Sequence, residues 1–416
     1  MAGGKVHSIA ILGGGPAGAT LGALLARAGR DVTLFTRSKR PAIIVGESLV
    51  PAIVPYLRTL GVEEEVAGYS IWKGGATFVF DGESRMNVRF DEVRGARTHY
   101  SYNVPRDRFD ATILEAARRA GVRVLEQPAR IEREGNGDGD RVRLDDATLQ
   151  AAGLRAQPDF VVDAAGRQRT LPRLLGLETR DGDRRDTALH AHFEGIEVEV
   201  PGNVHTDRLE HGWLWRIPLP GRVSMGLVID SERIRKYGDT PEEQLDTFLR
   251  QDPVIRDYAA PAKRVTPVIK YTNYQSRVLR GVGSNWALAG DCFGFVDPVF
   301  SSGLLLAFQC GDELARALID GSPAALKHYE QAMLRRFEAW QRVIRWFYDG
   351  RLLTLFRVGE RVRRTWKGRL LDFHFRKHMP RIFTGEDVTN RYSLGLIDFM
   401  VKYALAGDDP EALRID

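Results

Sequence analysis

Cysteine is nearly absent. Cys292 and Cys310 are the two in 416 residues, and neither belongs to a CxxC pair or to a cluster with histidine at metal-ligand spacing. Neither a disulfide framework nor a zinc site is expected, and both thiols read as inert core residues. Long apolar runs are missing too, as is a leader with a basic head, an apolar stretch and a small-residue cleavage site. A cytoplasmic protein without a transmembrane segment is therefore expected. Internal repeats and low-complexity segments are also lacking. Charge of one sign is scarce: 60 Lys and Arg against 55 Asp and Glu leave a formal +5. Spread over this length, and with no recognisable reading module, that excess does not point to nucleic acid. It gathers late, in "RVGERVRRTWKGRLLDFHFRKHMPR" at 357–381. That run reads either as a solvated helix face or as a docking surface, around Arg363 and Arg364, for an acidic protein or lipid headgroups.

What the chain does have is 43% hydrophobic residues, enough for a large core divided into two or three lobes. The opening "KVHSIAILGGGPAGATLGALLARAGRDVTLFTR" reads as strand, glycine turn, Ala/Leu-rich helix and second strand, a βαβ unit. Gly13, Gly15 and Gly18 supply a tight turn, close backbone approach and helix packing, which lets a pyrophosphate sit on the helix N-terminus. The acid expected after the second strand is replaced by Thr36, a weaker ribose ligand. Downstream, "ATFVFDGESRMNVRF", "HAHFEGIEVEV" and "RVSMGLVID" read as strands, "RDRFDATILEAARRAGVRVLEQPARIE" as a helix then a strand, and "FVVDAAGRQRTL" as a buried strand with a glycine turn. From Ala324 the pattern is almost wholly helical. In "HGWLWRIPLP", Trp213, Trp215 and Ile217 share one face of an extended strand, and Pro218 is expected to end the pairing.

Four further motifs, "VGESLVP" at 45–51, "NVPRDRFD" at 103–110, "VVDAAGR" at 161–167 and "LAGDCFGFVDPVFSSGLLLAF" at 288–308, follow the glycine turn in order. Together they resemble the FAD-dependent monooxygenases of the para-hydroxybenzoate hydroxylase type. Within that superfamily Trp213-Leu214-Trp215-Arg216-Ile217-Pro218 matches the WxWxIP signature of flavin-dependent halogenases. Phe295, Pro298, Ser301 and Gly303 match that family's FxxPxxSxG pattern, and Lys73 in "WKGGATF" falls where the family keeps its catalytic lysine.

The resemblance implies an α/β fold: a Rossmann-like FAD-binding domain (1–72, 105–180, 276–323) interleaved with a β-sheet substrate domain (73–104, 181–275), plus a helical C-terminal lobe (324–416). Gly13, Gly15, Ala17, Gly18, Thr36, Glu47, Ser48, Arg106, Asp291, Pro298 and Gly303 would contact the cofactor. For Arg106 the competing reading is a surface salt bridge, and for 45–51 a simple connecting loop. Ser302 and Gly303, at a helix N-terminus, would bind halide, and Trp213, Trp215, Ile217 and Pro218 would part flavin from substrate. The implied enzyme takes FAD as FADH2 from a separate NAD(P)H:flavin reductase, since one dinucleotide fingerprint is present, with O2 and chloride or bromide as co-substrates. Lys73 would hand the halogen of hypohalous acid to a small aromatic. Tryptophan halogenases carry a glutamate just before Ser-x-Gly; here it is Phe300, which points to a phenol or pyrrole, free or on an acyl or peptidyl carrier protein. The rival readings are a single-component aromatic hydroxylase, a membrane-associated geranylgeranyl-reductase-like flavoenzyme, and a flavin-loaded scaffold without turnover.

Overall fold

The computed structural model describes residues 6–37, 43–80, 85–135, 140–363, 378, 380–386, 388–403 and 409–416. Most of the basic run at 357–381, Arg364 included, lies outside the described residues, as does the side chain of Arg363.

The apolar strand Ser8–Leu12 is buried because parallel neighbours flank it on both sides, Phe160–Asp163 and Asp31–Phe35. Trp286–Leu288 and Arg123–Leu125 complete a five-stranded parallel sheet. After Ser8–Leu12 the chain turns through Gly13 at φ +112° and enters the helix Pro16–Arg27, with proline in its first turn, where no amide hydrogen is needed. A Cβ on Gly13 would lie 2.3 Å from the Ala164 carbonyl oxygen, and one on Gly18 2.1 Å from that of Gly13. Only glycine fits either place, so the turn is held tight against the next strand end.

The second sheet is built around Gly212–Leu219, which pairs antiparallel with Val204–Leu209 on one side and Arg222–Asp230 on the other. Asp186–Glu194 continues it beyond Arg222–Asp230, while Gly75–Val79 and Arg85–Arg89 extend it at the opposite edge. Period-two alternation splits its residues between two cores. Trp213, Trp215 and Ile217 face the main core with the parallel sheet, whereas Leu189, Leu214 and Leu227 pack with Phe248 and Leu249 of the helix Pro241–Gln251. The C-terminal part carries the helices Pro323–Tyr348, Arg351–Arg363, Pro380–Thr384 and Arg391–Tyr403. Among the described residues no helix is long and apolar enough to cross a membrane.

Two expectations change. The strand ends at Glu194, so "IEVEV" is not paired; two of its three apolar members, Ile196 and Val198, pack onto the second core from irregular backbone. Alternation arose there from packing without a ladder. Pro218 ends pairing on one edge alone: the ladder with Val204–Leu209 stops at Arg216, but that with Arg222–Asp230 runs on to Leu219. Proline lacks a donor, and the edge that has no partner at this point tolerates it.

Candidate active site

Two cavities meet at the glycine turn. The outer one is lined by Gly13, Gly14, Thr36, Arg37, Gln127 and Gln168. The inner one is walled by Trp213, Trp215, Ile217, Tyr271, Val299 and Leu304. Gly15, Pro16, Ile44, Arg106, Ala164 and Gly166 belong to both, so the two spaces join end to end along the helix N-terminus. A polar, turn-floored space leading into an apolar slot fits an elongated dinucleotide with a flat ring at one end. Thr36 bounds the outer space; its Oγ1 lies 2.7 Å from where a Gly14 side chain would start. Among the described residues nothing stands within 4 Å of a Cβ placed on Gly15, which leaves that backbone open to a ligand.

Arg106 is buried. Its guanidinium grips Asp110 one turn along the same helix, at 2.9 and 3.2 Å, and donates through Nη1 to the carbonyls of Val45 and Gly46. The surface salt-bridge reading is excluded. Asp291 lines the inner cavity and accepts no hydrogen bond from a described side chain. Burial pushes its carboxyl above the usual range, against the opposing pull of Arg167, Arg106 and Arg169. Ala17, Pro298 and Gly303 line the same cavity, while Gly18 acts through packing beneath the turn.

Residues 45–49 are a tightly held strap. The Glu47 carbonyl accepts from the Val104 amide at 2.7 Å, and the Leu49 amide donates to Tyr102 at 2.9 Å. Ser48 lines the inner cavity. Glu47 does not: its buried carboxylate meets His192 Nε2 at 2.8 Å, so it anchors the strap to the second sheet.

Lys73 sits at the end of the strand Ile71–Lys73, fully buried behind the strap. Its Nζ donates to Ser48 Oγ and to the Leu49 carbonyl, both at 2.8 Å, and lies 5.4 Å from the centre of the Phe90 ring. No carboxylate pairs with it among the described residues, and burial lowers its pKa to about 7. Both ammonium and free amine are therefore populated near neutral pH. Because Ser48 also lines the inner cavity, one hydrogen bond separates the lysine from that space. The neighbouring Trp72 is exposed and stacks on Tyr100.

The helix Ser302–Asp320 starts at the inner cavity, and its first-turn amides have no acceptor within the helix. Ser301, its cap, stands at φ +54°, a conformation rare for a residue with a side chain. The Ser302 hydroxyl turns away from the cavity and donates to the Asp297 carbonyl at 3.3 Å. Phe300 is buried in an aromatic cluster with Phe78, Trp340, Phe347 and Phe383. Trp213, Trp215 and Ile217 line the slot as their spacing predicts, but Pro218 does not. Sequence reasoning missed Arg167, which lines the slot and stacks at 3.9 Å on Tyr271, although it stands inside a quoted motif. It also missed Asp297, which stands inside another quoted motif, and Tyr348. Among the described residues no group of His, Cys, Asp and Glu is placed to hold a metal ion, and both cysteines are buried.

The family profile for tryptophan halogenases matches residues 8–80 and 82–354. The chain belongs to this family. It is 30% identical over 368 residues to a tryptophan 2-halogenase of Chondromyces crocatus, covering 82% of this chain and 67% of that one. It is 28% identical over 384 residues to a 1H-pyrrole-2-carbonyl-[peptidyl-carrier protein] chlorinase of Pseudomonas fluorescens, covering 84% and 85%. The solved structure of the myxobacterial chondrochloren halogenase, 27% identical, superposes with a TM-score of 0.73 over 83% of each chain. This halogenase is thus a flavin-dependent oxidoreductase that uses FADH2, O2 and halide. The joined cavities give that cofactor a place, and the hydroxylase and reductase alternatives are not favoured.

Proposed function

We propose that this halogenase chlorinates or brominates an electron-rich aromatic ring, a pyrrole or phenol, with Lys73 as the residue that delivers the halogen. The observation that carries this reading is the lysine itself, buried with no counter-ion among the described residues and held by Ser48 and Leu49 one hydrogen bond from the flavin slot. Bound FADH2 supplies the two electrons with which oxygen is activated to oxidise halide. The chain's own groups do the rest. First-turn amides at Ser302 and Gly303 hold the halide at a helix N-terminus. The Trp213–Trp215–Ile217 wall keeps the organic substrate off the flavin, so that hypohalous acid and not the ring is what leaves the slot. At Lys73 the ammonium donates a hydrogen bond to that acid, or the neutral amine takes its halogen as an N–X bond and releases water. The ring then attacks the halogen, loses a proton, and the amine is restored.

Pyrrole or phenol is favoured over indole because Phe300, buried among four aromatic rings, offers no carboxylate to stabilise the cation of a less reactive ring. Relatives that act on pyrrole-2-carbonyl-carrier proteins, a chlorinase and a brominase, match 84% and 76% of the chain. A carrier-tethered acyl pyrrole is thus the substrate form with most support. A separate NAD(P)H:flavin reductase, acting in the cytoplasm, supplies the FADH2. The test is to supply chemically reduced FAD, oxygen and bromide with pyrrole-2-carbonyl on a carrier protein, a free phenol, or free tryptophan. Brominated pyrrole or phenol and untouched tryptophan are expected, and NADH without a reductase should drive nothing. Bromination of tryptophan alone, or turnover on NADH unaided, would overturn the reading.

A further inference from the structure

Asp297 stands between two residues of the inner slot, Phe295 and Pro298, yet its side chain is fully buried and faces away from the cavity lining. Its two carboxylate oxygens serve different elements. Oδ1 accepts from the Val299 amide at 3.0 Å, and the Asp297 carbonyl accepts from Ser302 Oγ, so this residue shapes the turn that leads into the helix Ser302–Asp320. Oδ2 accepts from Gln275 Nε2 at 2.8 Å and from the Tyr348 hydroxyl at 3.1 Å. That hydroxyl in turn accepts from Trp213 Nε1 at 2.9 Å. Tyr348 closes the long helix Pro323–Tyr348, and its ring is covered by the Arg184 guanidinium at 4.0 Å. A single buried carboxylate therefore touches the turn on one wall of the slot and, through one phenol, the indole on the other. Burial, with the nearby Asp186 charge, raises its pKa to about 7 against the pull of these donors.

We propose that Asp297 is a positioning residue that fixes the halide-binding turn and the Trp213 wall relative to one another through Tyr348, and so sets how much halogen reaches the organic substrate. This rests on the halogenase reading of the turn and wall. Truncating the phenol frees only the indole, whereas altering the carboxylate frees both walls. In Tyr348→Phe the Trp213 Nε1 loses its acceptor while the Val299 and Ser302 contacts remain. In Asp297→Asn one oxygen becomes a donor, which opposes either the Val299 amide or the Gln275 and Tyr348 donors.

The experiment compares Tyr348→Phe, Asp297→Asn and the double variant by halide KM, kcat, halogenated product per FADH2 oxidised, and affinity for oxidised FAD. Tyr348→Phe is expected to lower product per flavin about tenfold with halide KM unchanged, the size of one lost buried hydrogen bond to a polar partner. Asp297→Asn is expected to raise halide KM by about tenfold as well. The double variant is expected to be no worse than Asp297→Asn in product yield, because both changes cut the same link. Independent, multiplying losses, or an unchanged halide KM in Asp297→Asn, would overturn the proposal. A readout without turnover keeps the two ideas apart: quenching of Trp213 fluorescence by bound oxidised FAD, taken as the difference from Trp213→Phe. It is expected to change in both single variants. If the parent protein shows no halide dependence, the halogenase reading fails while this quenching still decides whether Asp297 places the indole; if quenching is the same in all variants, the positioning role itself fails.

Discussion

Replacing Lys73 with methionine tests the buried amine through stability as well as chemistry. A lysine whose pKa falls from 10.5 to about 7 on folding binds its proton more weakly in the folded state, which destabilises that state by about 5 kcal/mol below pH 7. Between pH 7 and pH 10.5 the penalty shrinks by about 1.4 kcal/mol per pH unit, and above 10.5 both states are neutral and it vanishes. Methionine keeps the length and removes the titration altogether. It also leaves Ser48 Oγ and the Leu49 carbonyl without their donor, a loss of about 2 to 3 kcal/mol. The net expectation is a variant about 2 kcal/mol more stable than the parent at pH 6.5, equal to it between about pH 8 and 9, and less stable above that. Urea unfolding of both proteins across pH 6.5 to 9.5 measures the difference directly. The same variant should lose halogenated product while still oxidising FADH2. A methionine variant that is less stable by one constant amount at every pH would refute the reasoning, because the amine would then carry no desolvation penalty.

Two further substitutions probe the slot and its aromatic surround. A Cβ at Gly226 would fall 1.9 Å from the Trp215 ring, so Gly226→Ala should push the indole into the flavin slot, strain the core by about 1 to 3 kcal/mol and weaken FAD binding roughly tenfold in a fluorescence titration; unchanged affinity would place the indole elsewhere. Phe300→Glu introduces the carboxylate of the tryptophan enzymes, but into a cluster of four aromatic side chains. The expected result is a loss of about 3 kcal/mol or more in thermal unfolding and no gain on free tryptophan; a variant that melts like its parent and halogenates tryptophan would contradict the placement.

Local pattern carried the elements that depend on near neighbours. The glycine turn is readable because a tight turn and close packing within one βαβ unit demand glycine at set spacings, and Trp213, Trp215 and Ile217 share a face because a strand repeats every two residues. What period cannot report is what lies opposite. Glu47 sits in a motif that resembles a flavin strap, yet its partner His192 is 145 residues away in sequence, set by how the second sheet closes over the strap. Trp213 and Tyr348 are 135 residues apart, and Asp297 and Tyr348 51. Such contacts arise from the packing of lobes, and a single sequence holds no term for them. The same blindness explains "IEVEV", where alternation reflects contact with a core and not a ladder.

The strap shows why Arg106 and Lys73 are better treated as one assembly than as two sites. Arg106 takes the carbonyls of Val45 and Gly46, Val104 and His192 hold Glu47, and Lys73 donates to Ser48 and Leu49. Every one of these five residues is therefore pinned, and Arg106 and Lys73 grip opposite ends of the same short segment. All four anchors, Arg106, Val104, His192 and Lys73, are buried, so none of their contacts is exchanged freely for water. The intervening Glu47 is held to His192, so the middle of the segment is fixed to the second sheet while its ends are fixed by Arg106 and Lys73. The position of the lysine amine is for this reason a property of the whole strap, and a substitution at Glu47 would reach it without touching it.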